Sequence, residues 1–266
     1  LLINSEGVTT FVSTVDAASL RTDVTGINAS ASGNKVLIQG GRISTSGEQH
    51  YAERVALDNA NHATELNTAN SNVTFDKAIV NADSNLAQDL TINTGTGHAT
   101  FTGVVGEDAV VASVKNGALG DLVINSEGVT TFVSTVDAAS LRTDVVDINA
   151  SAVTNKIIIQ GGRITTAGEQ HFAERVVLNN AVYTTVLNTS NSSVTFDKAI
   201  LNAGATAQHV TINVGAGDVM FIGAVGEDVN GVNGALGNVV INSAGVTTFA
   251  KSVDAASLKT EDRKSV

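Results

Sequence analysis

The chain is expected to be all-β, folded as a parallel β-helix, a solenoid in which one polypeptide winds through stacked turns of short strands. Nested internal repeats, short stretches that alternate apolar and polar residues, and a complete absence of proline lead to this expectation. Proline lacks the N–H that a paired strand must donate, so a chain made almost wholly of paired strands excludes it. Val, Ile, Thr and Phe fill the alternating positions, as strands favour.

The long repeat sets the organisation, and such self-similarity is sought before any local feature. INSEGVTTFVSTVDAASLRTDV at 3–24 recurs unchanged at 124–145 and returns as INSAGVTTFAKSVDAASLKTE from 241. IQGGRISTSGEQHYAER at 38–54 is answered by IQGGRITTAGEQHFAER at 159–175, and NVTFDKAIVNA at 72–82 by SVTFDKAILNA at 193–203. Residues 1–121 are thus a first copy, 122–238 a second and 239–266 the start of a third, all within one continuous solenoid. Each long copy is expected to hold six coils.

A finer pattern runs inside each copy: an apolar residue, any residue, an apolar residue or Thr, then Asn, Asp or Gln. It begins at Leu1, Leu20, Val36, Val55, Val73 and Leu90, then at Leu122, Leu141, Ile157, Val176, Val194 and Val210, and finally at Val239 and Leu258, where Glu261 departs from the rule. Most spacings fall between 16 and 19 residues. That is shorter than helical-pair repeats, and the leucine-rich motif is absent. Taken as one coil each, these spacings predict about 13–15 coils of 16–19 residues and a rod of roughly 65 Å at the strand separation of a sheet. Residues such as Val36 and Ile38, or Val73 and Phe75, point inward. The amide or acid that follows sits at a corner, where stacked side chains hydrogen-bond along the rod. A single coil buries too few side chains to offset the ordering of its backbone, so coils fold only against neighbours.

A second column repeats glycine four residues before phenylalanine: Gly7/Phe11, Gly97/Phe101, Gly128/Phe132, Gly217/Phe221 and Gly245/Phe249. The glycines are expected at corners needing positive φ, and the phenylalanines inside, with Phe101 beneath Phe132 and Phe221 beneath Phe249. The intervals 90–122 and 210–239 are longer and unequal, which favours a loop bulging from the rod over an extra coil built on Val110 and Val111. Leu1 starts directly on a coil and the chain stops soon after Leu258, with no polar cap and no signal peptide. The expectation is an excised piece of a longer chain, or a subunit whose open ends meet neighbours.

Composition narrows the function. The 266 residues contain no cysteine, which removes disulfides, thiolate metal sites and cysteine nucleophiles together. A formal net charge of −11 opposes nucleic acid or anionic lipid as partner, and no apolar run is long enough to insert in a membrane as a helix. The histidines are His50, His62, His98, His171 and His209. His50 and His171 occupy matching phrases beside Glu48/Glu169, Glu53/Glu174 and Arg54/Arg175, and are expected to lie on a solvated strand and pair across coils. His62 is replaced by Tyr183 at the equivalent position of the second copy and His98 by Asp218, so neither side chain is kept. No nucleophile elbow or phosphate loop is present. Asp76 beside Lys77 and Asp197 beside Lys198 are the carboxylates a polysaccharide-cleaving site would use, but each is duplicated. The expected outcome is no enzyme, no catalytic residue and no organic cofactor. Glu107, Asp108, Glu227 and Asp228, in the repeated phrase VGED, are the candidate calcium ligands, although the calcium-roll signature G-G-x-G-x-D is missing.

The phrases G-V-T-T-F…V-D-A-A-S-L-[RK]-T, G-G-R-I-[ST]-T and V-T-F-D-K-A resemble those of bacterial β-strand-repeat exoproteins of the filamentous-haemagglutinin and autotransporter-passenger style. The resemblance covers nearly the whole chain and is one of repeat style. It implies a single-stranded right-handed parallel β-helix that is secreted or displayed on the bacterial surface. It further implies a structural stalk, adhesin or biofilm-matrix filament whose partners are copies of itself, flanking repeats of the same chain, or cell-surface and matrix glycans. The alternative expectation is a carbohydrate-binding or polysaccharide-cleaving β-helix.

Overall fold

A computed structural model describes residues 1–22, 33–82, 86–106, 117–143, 155–182, 184–226 and 234–261. Among them are 28 strands and no helix, and every pairing between strands is parallel. The architecture is a parallel β-helix, as the alternating pattern and missing proline require.

Each turn crosses three faces. The first face begins with Leu2–Ile3, Leu20–Thr22, Gln49–Tyr51, Val73–Phe75, Ala99–Phe101 and Val129–Phe132, and continues through Ile200–Asn202. The second begins with Val8–Phe11, Lys35–Ile38, Arg54–Leu57 and Ile79–Asn81. The third begins with Val15–Ala17, Arg42–Thr45, Ala63–Thr68, Asp89–Gly95 and Leu119–Ser126. Val136–Thr143 runs around the corner between the second and third faces, pairing with Arg163–Thr166 by one end and Gln170–Phe172 by the other. At Val105, Val225 and Val253 a single bridge stands where a full strand would be.

This register corrects the coil length and count. A turn takes 19 residues where Leu2 meets Arg21, 26 where Val73 meets Ala99 and 32 where Leu90 meets Leu122. The described residues therefore make between ten and eleven three-strand turns, on the order of 50 Å at ~4.8 Å per turn. The 16–19 residue spacing misleads because the apolar-x-apolar-amide phrase ends strands on all three faces. Leu1 and Leu20 lie one turn apart, but Val55 is on the second face and Val73 on the first. The intervals 90–122 and 210–239 are each one turn, since Leu90 pairs directly with Leu122 and Val210 with Val239. No extra coil is stacked between them. Val110 and Val111 lie outside the described residues.

The long copies are out of phase with the turn. From Leu2–Ile3 to Leu119–Ser126 the chain advances fourteen strand positions, and from there to Leu236–Ser243 another fourteen. Fourteen is four turns and two-thirds, not the six coils the motif spacing suggests. Each copy consequently starts on a different face: first, third, then second.

The interior follows the alternation. Val36, Ile38 and Val73 are fully buried and Phe75 is 1% exposed. Tyr51, Phe75, Phe101 and Phe132 form one column with ring centroids 5.1, 5.4 and 5.1 Å apart. Phe172, Phe196, Phe221 and Phe249 form its counterpart at 5.1, 5.1 and 5.0 Å. The expected contacts of Phe101 with Phe132 and of Phe221 with Phe249 are the upper steps of these stacks.

Corner amides also stack as expected. Asn125 donates to Asn93 and Asn93 to Asn67 at 2.8 and 2.7 Å, and Asn242 donates to Asn213 and Asn213 to Asn188 at 2.6 and 2.7 Å. The glycines four residues before phenylalanine are not in the positive-φ region, which corrects that expectation. Positive φ falls two residues earlier, at Gly95 (59°) and Gly215 (57°), where a bulge shifts the register against Ser126 and Ser243. Gly97 and Gly217 are glycine for another reason: a Cβ would land on the carbonyls of Ser71 and Ser192 in the preceding turn.

Candidate functional site

The duplicated phrases GEQHYAER and GEQHFAER place their histidines outward, as expected. His50 lies on the first face between Arg21 and Thr74, with its Nε2 2.9 Å from Asp76 Oδ2. Arg21 pairs with Glu48 at 3.0 Å. In the second copy His171 and Asp197 repeat the contact at 2.9 Å on the third face, beside Arg142 and Glu169. Asp76 and Asp197, the carboxylates a cleaving site would use, are thus engaged by histidine across one turn. They face different sides of the rod and do not form one constellation.

The same phrases contain carboxylates that the sequence does not single out. Glu53 and Glu174 are each 1% exposed, accepting a hydrogen bond from the Thr22 and Thr143 hydroxyls respectively. In turn Ala52 and Ala173 donate their N–H to those hydroxyls. Only burial separates these glutamates from Glu48 and Glu169, and burial depends on turns 19 or more residues away.

Among the described residues no group of three His, Asp or Glu side chains could hold a metal ion. The calcium candidates Glu107, Asp108, Glu227 and Asp228 lie outside the described residues. His98 and Asp218 turn out to be chemically equivalent despite their different identities. His98 Nδ1 accepts the N–H of Val129 at 2.8 Å, and Asp218 Oδ1 accepts that of Val246 at 2.7 Å. The exchange is reversed elsewhere, where Asp89 Oδ1 accepts from Asp121 and His209 Nδ1 from Asn238, at 2.7 and 2.6 Å. Either residue supplies one acceptor to a corner N–H, which must be satisfied. The role persists although the side chain does not. His62 packs against Gln88, with Nδ1 3.1 Å from the amide nitrogen; its counterpart Tyr183 lies outside the described residues.

A groove with the shape of a binding site lies in the second copy. Val133, Gln160 and Asn179 follow Phe132, Ile159 and Leu178 at the corner after the first face, in three successive turns. With Asn180, Ala181, Gly204–Thr206 and Gln208 they line a groove of about 510 Å³. Gln208, 5% exposed, is fixed by accepting the N–H of Asn180 at 2.9 Å. None of these lining residues is charged. The corresponding corner of the first copy has Asp58 where Asn179 stands, and Gln39 Nε2 donates to Asp58 Oδ2 at 2.7 Å; the sequence also differs opposite, with Asp83, Ser84 and Asn85 in place of the Gly204–Thr206 stretch. Gln160 and Asn179 make no such bond with any described residue. The sequence aligns these positions but gives no sign that the pair closes in one copy and stays open in the other.

No family model, curated protein or solved structure matches this chain. The functional reading therefore rests on the geometry of the repeats. Equivalent outward groups do not form a file along one side of the rod, because each copy begins two-thirds of a turn out of phase with its predecessor. The His–Asp pair moves from the first face to the third, and the amide ladder from the third to the second.

Proposed function

We propose that the chain is a length of stiff extracellular rod, a stalk or filament segment of a bacterial surface adhesin or matrix protein. Its partners are flanking repeats or copies of itself, added end to end. The observation that carries this reading is the fourteen-strand repeat stacked into one uninterrupted core. A catalytic site needs a unique set of groups held at one place. Here the His–Asp and Arg–Glu pairs come in duplicate, point in different directions, and are closed across turns. A repeat of four and two-thirds turns instead gives a rod whose surface is similar from every side, which suits a spacer that must not bend or stick laterally along one face. The described turns are joined by backbone ladders, with a column of four stacked rings in each long copy, so length is gained by adding copies without new folding information.

Electron microscopy of chains carrying one, two and three added tandem copies provides the test. Thin rods that lengthen by about 22 Å per copy, the rise of four and two-thirds turns, are expected. Compact particles, or a length that does not grow with copy number, would refute the proposal.

A further inference from the structure

We infer that the groove beside Gln160 and Asn179 is a binding site for a neutral, hydroxyl-rich chain, an uncharged oligosaccharide. This goes beyond the rod reading and does not depend on it.

Each amide offers one acceptor and a pair of donors on a planar group, which suits a vicinal pair of hydroxyls that both donate and accept. Gln160 and Asn179 stand on adjacent turns, ~4.8 Å apart along the rod, a spacing close to that of successive sugar residues in an extended glycan. Val133, in the turn before, gives an apolar surface for the C–H face of a ring. Gly204 leaves the opposite wall open, since nothing lies within 4 Å of a Cβ built there. The charge pattern narrows the class further. A net charge of −11 repels a polyanion, and a cationic ligand would find no carboxylate among the lining residues. A volume of about 510 Å³ falls within the range of small-molecule sites.

The first copy provides the built-in contrast. There the Asp58 carboxylate takes up the Gln39 amide. In the second copy Gln160 and Asn179 do not close on each other, and both amides face an external partner. The groove is shallow and its amides are partly solvated, so binding of millimolar strength is expected.

The test is titration of the whole chain, followed by NMR, with cellohexaose, maltohexaose and mannohexaose, and with polygalacturonate as the charged control. A neutral hexasaccharide should bind, and polygalacturonate should not compete. Asn179→Asp should weaken binding by about tenfold or more, as the amide of Gln160 is captured internally. The melting temperature should be unchanged, because the Gln39–Asp58 pair already fits this corner. Gly204→Phe, whose Cβ meets nothing within 4 Å and whose ring would occupy the groove, should abolish binding. Absence of binding by the unmodified chain, preference for polygalacturonate, or undiminished binding in Asn179→Asp would each overturn the inference. These outcomes are read in solution whatever the particles look like by microscopy, so failure here and failure of the rod reading are separate results.

Discussion

Tyr51 and Phe172 occupy the same place in successive copies, yet a single oxygen divides them. The Tyr51 hydroxyl donates to Gln49 Oε1 at 2.9 Å, while the Gln49 amide nitrogen reaches the carbonyls of Ile43 and Asn67 at 3.2 and 2.9 Å. Gln170 repeats the nitrogen contacts to Ile164 and Asn188 at 3.3 and 2.8 Å. Its Oε1, buried beside Phe172, has no partner among the described residues. Burial first, and the charge of Glu53 second, push the Tyr51 phenol well above its ordinary pKa, so it stays a neutral donor at any physiological pH. Phe172→Tyr should therefore stabilise the fold by about 1 kcal/mol, by supplying the missing donor to a desolvated acceptor. Urea unfolding of the single variant measures this, and Tyr51→Phe should shift stability the other way. The sequence shows the Tyr/Phe difference plainly. It does not show that the oxygen of Gln170, two residues before Phe172, is buried without a partner among the described residues, because that is decided only once side chains share the interior.

At the scale of strands and corners, the inward and outward positions were legible, because alternation with period two is local and each residue's neighbours decide its side. Val36, Ile38, Val73 and Phe75 all lie inside as their spacing requires. The amide ladder was legible in kind but incomplete in membership. Asn67 and Asn188 fall outside the phrase because Thr64 and Thr185 hold its first position, where it asks for an apolar residue, although both threonines are buried. The glycines were legible as special positions but for the wrong reason, since close approach between turns leaves no local signature distinct from positive φ. Gly217→Ala tests the difference. Its Cβ would collide with the Ser192 backbone, so a loss of about 1–3 kcal/mol is expected from overpacking. Gly7→Ala should be nearly silent, because its Cβ would meet only Ser5 Oγ at 3.8 Å. Equal losses at the two positions in thermal melts would contradict this account.

Across the whole molecule the decisive quantity is the mismatch between repeat and turn. Thr100 and Thr131 are cross-strand partners on the first face, whereas Met220, the repeat equivalent of Thr100, sits on the third. The absence of cysteine makes this directly measurable. A short bifunctional thiol reagent should join Thr100→Cys to Thr131→Cys within one molecule and should fail to join Thr100→Cys to Val123→Cys, which copies in phase would stack on Thr100 but which lies beside Thr91 on the third face. Efficient joining of the second pair would mean that the copies are in phase.

By itself the sequence determined that the chain is a β solenoid with an aliphatic and aromatic interior, because strand propensity, alternation and lack of proline act over a few neighbouring residues. It also determined that the surface repeats in two long copies and part of a third. Only the tertiary structure decided how many residues close a turn, which face each strand joins, and where each copy points. Those depend on hydrogen bonds between segments 19 to 32 residues apart, and an amide-ended strand fits any of the three faces equally well until a neighbouring turn selects one.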